Sequence, residues 1–342
     1  MVSVAHSISD SDAAVFRADF DRLVASVVRV VLGKANQVEL AVVCLLAGGH
    51  LLIEDVPGMA KTRLAKALAH SIQGRCRRIQ FTADLLPSDV VGVNIFDQRT
   101  FQAEFRPGPI FTNILLGDEI NRAPPKTQAA LLEAMAECQV TVDGRTRKLD
   151  RPFLCICTQN PVEFQGTYGL PEAQLDRFTM RLALGYPDRS IETQIIRDNI
   201  QGKDPEDLDP VLDLERVRSM GALARSVWIC DELLGYIAEI AAATRGDVGR
   251  RHGVELGVSP RGSLALALCA MVWAIGHGRR FATDEDVQAV ARPVLAHRLV
   301  LADELDAPDG SGQLRQQAAE QVIDTLLRRI PVPRLPHLAR EG

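Results

Sequence analysis

Nothing in this chain answers to a zinc cluster or a disulfide framework. Its seven cysteines, at 44, 76, 138, 155, 157, 230 and 269, are odd in number and scattered, whereas a zinc site needs close pairs with a partnering cluster. Cys155 and Cys157 alternate with Leu154 and Ile156, which predicts two small hydrophobes on one face of a buried strand. No secretory leader is expected, because the residues from Met1 onward show no basic segment followed by an apolar core. The most apolar late run, Leu264 to Ile275, is too short to cross a bilayer. The expected location is the reducing cytoplasm. Charge of one sign is also missing. A net charge of −5 over 342 residues argues against nucleic acid as an obligatory partner, leaving open a local basic ring on an assembly. There is no internal repeat and no low-complexity tract. What remains is a chain 46% hydrophobic and long enough for two domains.

The stretch from His50 to Thr62, HLLIEDVPGMAKT, organises the rest. Leu51, Leu52 and Ile53 make a short buried strand. A Pro-Gly turn follows, and then KTRLAKALAHSI places apolar residues at helical spacing. Strand, glycine turn and Lys-Thr at a helix start form the layout of a phosphate-binding loop. Backbone N–H groups and the helix dipole favour an anion there. The segment Val56, Pro57, Gly58, Met59, Ala60, Lys61 and Thr62 is expected to cradle phosphates. Lys61 would reach the terminal ones and the Thr62 hydroxyl would coordinate magnesium. The usual G-x-x-x-x-G-K-[ST] pattern has Asp55 and Ala60 in its glycine places. Ala60 fits without strain if its φ is negative, and the Asp55 carboxylate should turn away from a triphosphate. A plain strand–turn–helix with a surface lysine is the competing reading of this stretch alone.

Ahead of the loop, helical stripes run over Asp12–Leu32, ended by Gly33, and Asn36–Ala47, ended by Gly48-Gly49. The join at Val31 to Lys34 could wall a purine base or be a mere helix break. Downstream, Arg78–Phe81 is a strand, and alternation at Val93–Phe96 and Thr100–Phe105 predicts an inserted hairpin. Ile114 to Gly117 is an apolar strand ending in Asp118 and Glu119. Ligands sit at the carboxyl ends of parallel strands, so both acids fall beside the phosphate loop if the two strands are neighbours. Asp118 would hold magnesium and Glu119 would deprotonate an attacking water. A second hairpin spans Gln139–Leu149 across Asp143-Gly144. Strand Phe153–Thr158 leads to Asn160, whose amide could orient that water, unless it is only an Asn-Pro turn residue. Beyond Tyr186-Pro187-Asp188 no strand is expected; helices are predicted over 190–201, 212–225, 230–244, 260–277, 283–298 and 312–329.

These blocks together resemble the MoxR family of AAA+ ATPases over essentially the whole chain. The resemblance rests on GHLLIEDVPGMAKT, FTADLLPSDVVG, LLGDEINRAPPKTQAALLEAMAECQVTVDG, TQNPVEFQGTYGLPEAQLDRF and GVSPRGSLALAL. It implies a P-loop αβα core with a five-stranded parallel sheet over residues 1–187 and an all-α lid over 188–342. It also implies ATP and Mg2+ as ligands, Asn160 as sensor 1, Arg177 as a finger offered to a neighbouring subunit and Arg261 as the lid's sensor 2. A homo-oligomer, usually a hexameric ring, follows from the same resemblance. So do chaperone-like remodelling of protein complexes, metal-cofactor insertion as one such task, and a partner carrying a von Willebrand factor A-type domain. Two other readings stay open: a nucleotide-gated scaffold with negligible hydrolysis, and a nucleic-acid translocase using Arg145, Arg147 and Lys148.

Overall fold

The first apolar stripe folds as α1 (Asp10–Val28) in the computed structural model, which describes residues 8–55, 60–98, 101–159, 168–202, 208–302 and 312–334. Ser9 caps α1 by accepting a hydrogen bond from the Asp12 N–H at 3.1 Å, which satisfies one orphan donor of the first turn. The helix ends four residues earlier than the stripe predicts. Val31 stays buried, but residues 29–32 turn, and this carries Val30 and Leu32 to a cavity wall. Next comes α2 (Ala35–Ala47), closed by Gly48 at φ +74°, the left-handed conformation that lets the last carbonyls find donors.

The core alternates strands and helices: β1 (Leu51–Glu54), α3 (Lys61–Ser71), β2 (Cys76–Gln80) and α4 (Pro87–Val91) lead to the hairpin β3 (Gly92–Asp97) and β4 (Gln102–Pro107). Then follow β5 (Ile114–Asp118), α5 (Pro125–Glu137), the hairpin β6 (Gln139–Val142) and β7 (Arg145–Lys148), β8 (Leu154–Gln159), α6 (Glu172–Leu175) and β9 (Met180–Leu182). Five strands form one parallel sheet in the order β2-β5-β8-β1-β9. Its central strands are buried on both faces, so they read as unbroken apolar runs. Leu51 and Ile53 enter the core shared with α1, α2 and α3, while Leu52 enters the one built on α5. Cys155 and Cys157 do share a face, with their sulfurs 3.5 Å apart. The hairpins are tied to each other: Asn94 Nδ2 donates to Asp143 Oδ2 at 2.7 Å, and the Arg147 guanidinium lies 3.7 Å from the Phe105 ring centroid.

After β9 the chain is mainly helical: α7 (Arg189–Ile200), α8 (Leu214–Ala224), α9 (Asp231–Arg245), α10 (Asp247–Arg251), α11 (Pro260–Gly276), α12 (Asp284–Leu295) and α13 (Gly312–Arg329). Against the expectation of no strand, β10 (Val254–Leu256) pairs antiparallel with β11 (Val300–Leu301). Both are too short to set up a periodicity. The same limit hid α4 and α10, which lie in turn-rich stretches. Helix α11 is apolar nearly all round and buries Leu266, Cys269, Ala270, Val272 and Ile275, as a helix at the centre of a bundle must. The N-terminal helices fill the angle between sheet and lid, with Arg216 Nε of α8 donating to Asp19 Oδ2 of α1 at 2.6 Å. No described helix is long and apolar enough to cross a membrane.

Candidate active site

Strands β1, β5 and β8 all run the same way, so their carboxyl ends open on one side of the sheet. There a cavity of about 490 Å3 is lined by Ala60, Lys61, Thr62, Asp118, Glu119 and Thr158. Strands β1 and β5 are not neighbours, because β8 lies between them. Two strand spacings separate the loop from the acids by about 10 Å, and long side chains close that distance. The end of β8 therefore sits between the lysine and the carboxylates.

Lys61 opens α3, and its Nζ donates to the Asp55 main-chain oxygen at 2.7 Å. Burial lowers the lysine pKa, while Asp55, Asp118 and Glu119 oppose that shift by attraction. Ala60 does not meet the condition for a strain-free fit: its φ is +53°, a left-handed conformation, although it carries a methyl. An L-residue other than glycine pays about 1–2 kcal/mol for that. Asp55 behaves as expected. Its side chain is buried and turned from the loop, with Oδ2 accepting the Leu184 and Gly185 N–H groups at 2.5 and 2.8 Å. Val56, Pro57, Gly58 and Met59 lie outside the described residues.

The acids are held by groups that sequence reasoning missed. Asp118 Oδ2 accepts from Arg78 Nε at 2.6 Å, and its Oδ1 accepts from the Thr158 hydroxyl at 3.3 Å. Glu119 sits at φ +58°, donates its N–H to Thr158 Oγ1 at 2.9 Å and accepts from Gln80 Nε2 at 2.7 Å. Arg122 also reaches Glu119, at 3.2 Å. Arg78 and Gln80 alternate along β2 and so share a face. That period was visible in the sequence, but only the pairing of β2 with β5 shows which acids they meet.

The other end of the cavity is apolar and made by Val30, Leu32, Leu184, Pro187 and Ile195. Lys34 Nζ donates to the Tyr186 carbonyl at 3.0 Å, tying the helix join to the segment that leaves β9. Of the join Val31 to Lys34, Leu32 and Lys34 line the cavity, with Val30 beside them.

Arg177 and Arg261 do not line this cavity. Arg177 donates to the Leu132 carbonyl at 3.0 Å rather than pairing with Asp176 or Glu172. Arg261, in the first turn of α11, stands 3.7 Å from Asp176 Oδ2. Asp176 also takes the Ser259 hydroxyl at 2.9 Å and Arg298 Nε at 2.9 Å. Arg298 is a further residue that the sequence did not flag, although an arginine inside the run VLAHRLVL is a signal for a buried ion pair. Asn160 lies outside the described residues.

A cavity of this size suits a mononucleotide. Its helix N-terminus and lysine suit phosphates, and the oxygens of Thr62 and Asp118 suit magnesium, which keeps few protein ligands and shares the substrate's phosphates. The family profile described as the ATPase family associated with various cellular activities (AAA) matches residues 50–180, and the AAA lid domain profile matches residues 250–323. The chain is 45% identical to the uncharacterized protein YeaC of Bacillus subtilis, over 89% of this chain and 92% of that one. It is 36% identical to Chaperone MoxR1 of Mycobacterium tuberculosis, over 94% and 84%. A crystal structure of a candidate ATPase from Cytophaga hutchinsonii superposes with a TM-score of 0.84 at 35% identity, covering 94% of this chain and 97% of that one.

Proposed function

The chain belongs to the MoxR family of AAA+ ATPases, and from that premise we propose that it binds ATP with magnesium and hydrolyses it to drive remodelling of a protein client. The observation that carries this reading is the single cavity shared by Lys61, Thr62, Asp118 and Glu119. Lys61 holds the terminal phosphates, and Thr62 with Asp118 holds the metal. That metal, when bound, neutralises charge on the phosphate oxygens. Glu119 takes a proton from the water that attacks the terminal phosphorus, as the bond to the ADP oxygen breaks. Gln80 and Arg122 fix the Glu119 carboxylate for that task, and Asn160 is proposed to orient the water. Residues 1–187 act as the nucleotide-binding core and 188–342 as the lid.

Arg261 stands by Asp176 and Arg177 is the next residue along the chain, and neither lines its own chain's cavity. This supports a reading in which Arg177 is offered to an adjoining subunit's nucleotide, in a closed ring that family resemblance makes hexameric, while Arg261 is the lid's sensor 2. The same resemblance supports a von Willebrand factor A-domain partner, a cytoplasmic setting and metal-cofactor insertion as one task. An arginine supplied across an interface contributes of order 10³–10⁵ in rate in GTPases, so ATPase activity per chain should collapse on dilution to monomer. Glu119→Gln should bind ATP without turnover, and Lys61→Ala should lose binding, as read by a fluorescent ATP analogue. Equal binding by Lys61→Ala and the unchanged protein would refute the assignment.

A further inference from the structure

Asp55 occupies the place where the phosphate-loop pattern has its first glycine, and its chemistry there is built rather than tolerated. Strands β1 and β9 pair as far as Ile53 and Leu182. Among the described residues the ladder between β1 and β9 continues no further. Buried N–H groups left without acceptors are rare in folded proteins. The Asp55 carboxylate takes the missing place, accepting from both Leu184 N and Gly185 N through one oxygen. Its main-chain oxygen meanwhile holds Lys61 Nζ. Leu184 and Gly185, with Pro187 just beyond, are the backbone strip along the apolar end of the cavity. Lys34 pins the same strip from the other side through the Tyr186 carbonyl.

We propose that Asp55 is a positioning residue that ties the apolar, base-binding wall of the cavity to the lysine end, its carboxylate holding the 184–185 backbone and its main-chain oxygen holding Lys61. The inference rests on the nucleotide reading of this cavity and adds to it a determinant of nucleotide over bare polyphosphate. A glycine at this place would leave the lysine cradle usable, since that is the common pattern, but would free the 184–187 strip.

The test compares Asp55→Gly and Asp55→Asn with the unchanged full-length protein, using a fluorescent ADP analogue and inorganic tripolyphosphate as probes. Asp55→Gly should weaken the ADP analogue at least tenfold and tripolyphosphate less than threefold. Asp55→Asn, whose amide oxygen can still accept both N–H groups, should stay within threefold for both. Equal weakening of both probes in Asp55→Gly, or an Asp55→Asn as impaired as Asp55→Gly, would overturn the proposal. Hydrogen exchange without any nucleotide separates it from the reading beneath it. The Leu184 and Gly185 amides should lose protection in Asp55→Gly and keep it in Asp55→Asn. Protection unchanged in Asp55→Gly sinks the proposal whether or not the protein binds nucleotide. Lost protection with no nucleotide binding by the unchanged protein sinks the site assignment and, with it, the recognition role.

Discussion

His50 offers a stability prediction whose size follows from its surroundings. It stands one residue before β1 and joins three elements. Its Nδ1 accepts the Cys155 N–H of β8 at 3.0 Å, its Nε2 meets the Met135 carbonyl of α5 at 3.0 Å, and its own carbonyl accepts the Thr179 N–H at 2.8 Å. Those partners require the neutral ring with its proton on Nε2. A second proton on Nδ1 would face an N–H. Burial lowers the pKa from 6.5 to about 4, with only the Met135 bond opposing it. Between these values the unfolded chain binds a proton that the folded chain refuses. The contribution is therefore complete above pH 6.5 and is lost as the pH falls towards 4. At about 1.4 kcal/mol per pH unit, the span is worth about 3 kcal/mol. His297 is also held neutral by burial, so the whole protein's slope does not isolate His50. The difference between the protein and His50→Asn does, because Asn can accept from Cys155 yet does not titrate. Urea unfolding at pH 8, 7, 6 and 5 should show the wild-type advantage shrinking by about 1.4 kcal/mol per unit below pH 6. NMR should show the ring titrating near 4. An advantage constant to about 0.5 kcal/mol from pH 8 to pH 5 would refute the reasoning.

Two further outcomes follow from single positions. At Ala60 (φ +53°), Ala60→Gly should stabilise by about 0.5–1 kcal/mol, the relief of left-handed strain less the added freedom of the unfolded chain. Ala60→Val should destabilise by more than that; thermal unfolding that finds Val as stable as Ala would contradict the backbone assignment. Arg298→Met removes the buried partner of Asp176 and the donor to the Phe178 carbonyl. Urea denaturation should register a loss of about 3–5 kcal/mol, and a loss below about 1 kcal/mol would mean that the core–lid pair is dispensable.

The parts of the site that were legible in the sequence are those that local chemistry dictates. Lys61 at a helix start, and Asp118 at the end of an apolar strand, announce themselves because the chain around each has one plausible shape. The lid helices were legible for the same reason: α13 and α11 show long stripes or runs with a cap, as Ser259 and Pro260 do for α11. Arg78 and Gln80 were not legible, since their meaning depends on β2 pairing with β5, a contact across some forty residues of chain. Nor was the interposed β8, because strand order is a tertiary property. The sign of φ at Ala60 was not legible either, for a related reason. Residue type gives the cost of a conformation, whereas the loop geometry decides whether that cost is borne.

Asp176 bears on how such a chain could transmit anything from its nucleotide. This one core carboxylate meets three lid groups, Ser259, Arg261 and Arg298, and the next residue along is Arg177. A rotation of the lid therefore cannot leave Asp176 in place without breaking a pair in which the Arg298 side chain is only 2% exposed. Such a pair is costly to separate, because each charge would be stranded in a poorly solvated place. The cheaper course is for the Asp176–Arg177 turn to travel with the lid. Asp55 anchors the opposite end of the same linkage, through the 184–185 backbone just beyond β9. Changes at the phosphate loop would then reach the Arg177 and Arg261 face through rigid contacts within one chain. Among the described residues Arg177 is held by one hydrogen bond, to the Leu132 carbonyl of α5, a lighter tie than the buried ion pair that holds Asp176 to Arg298.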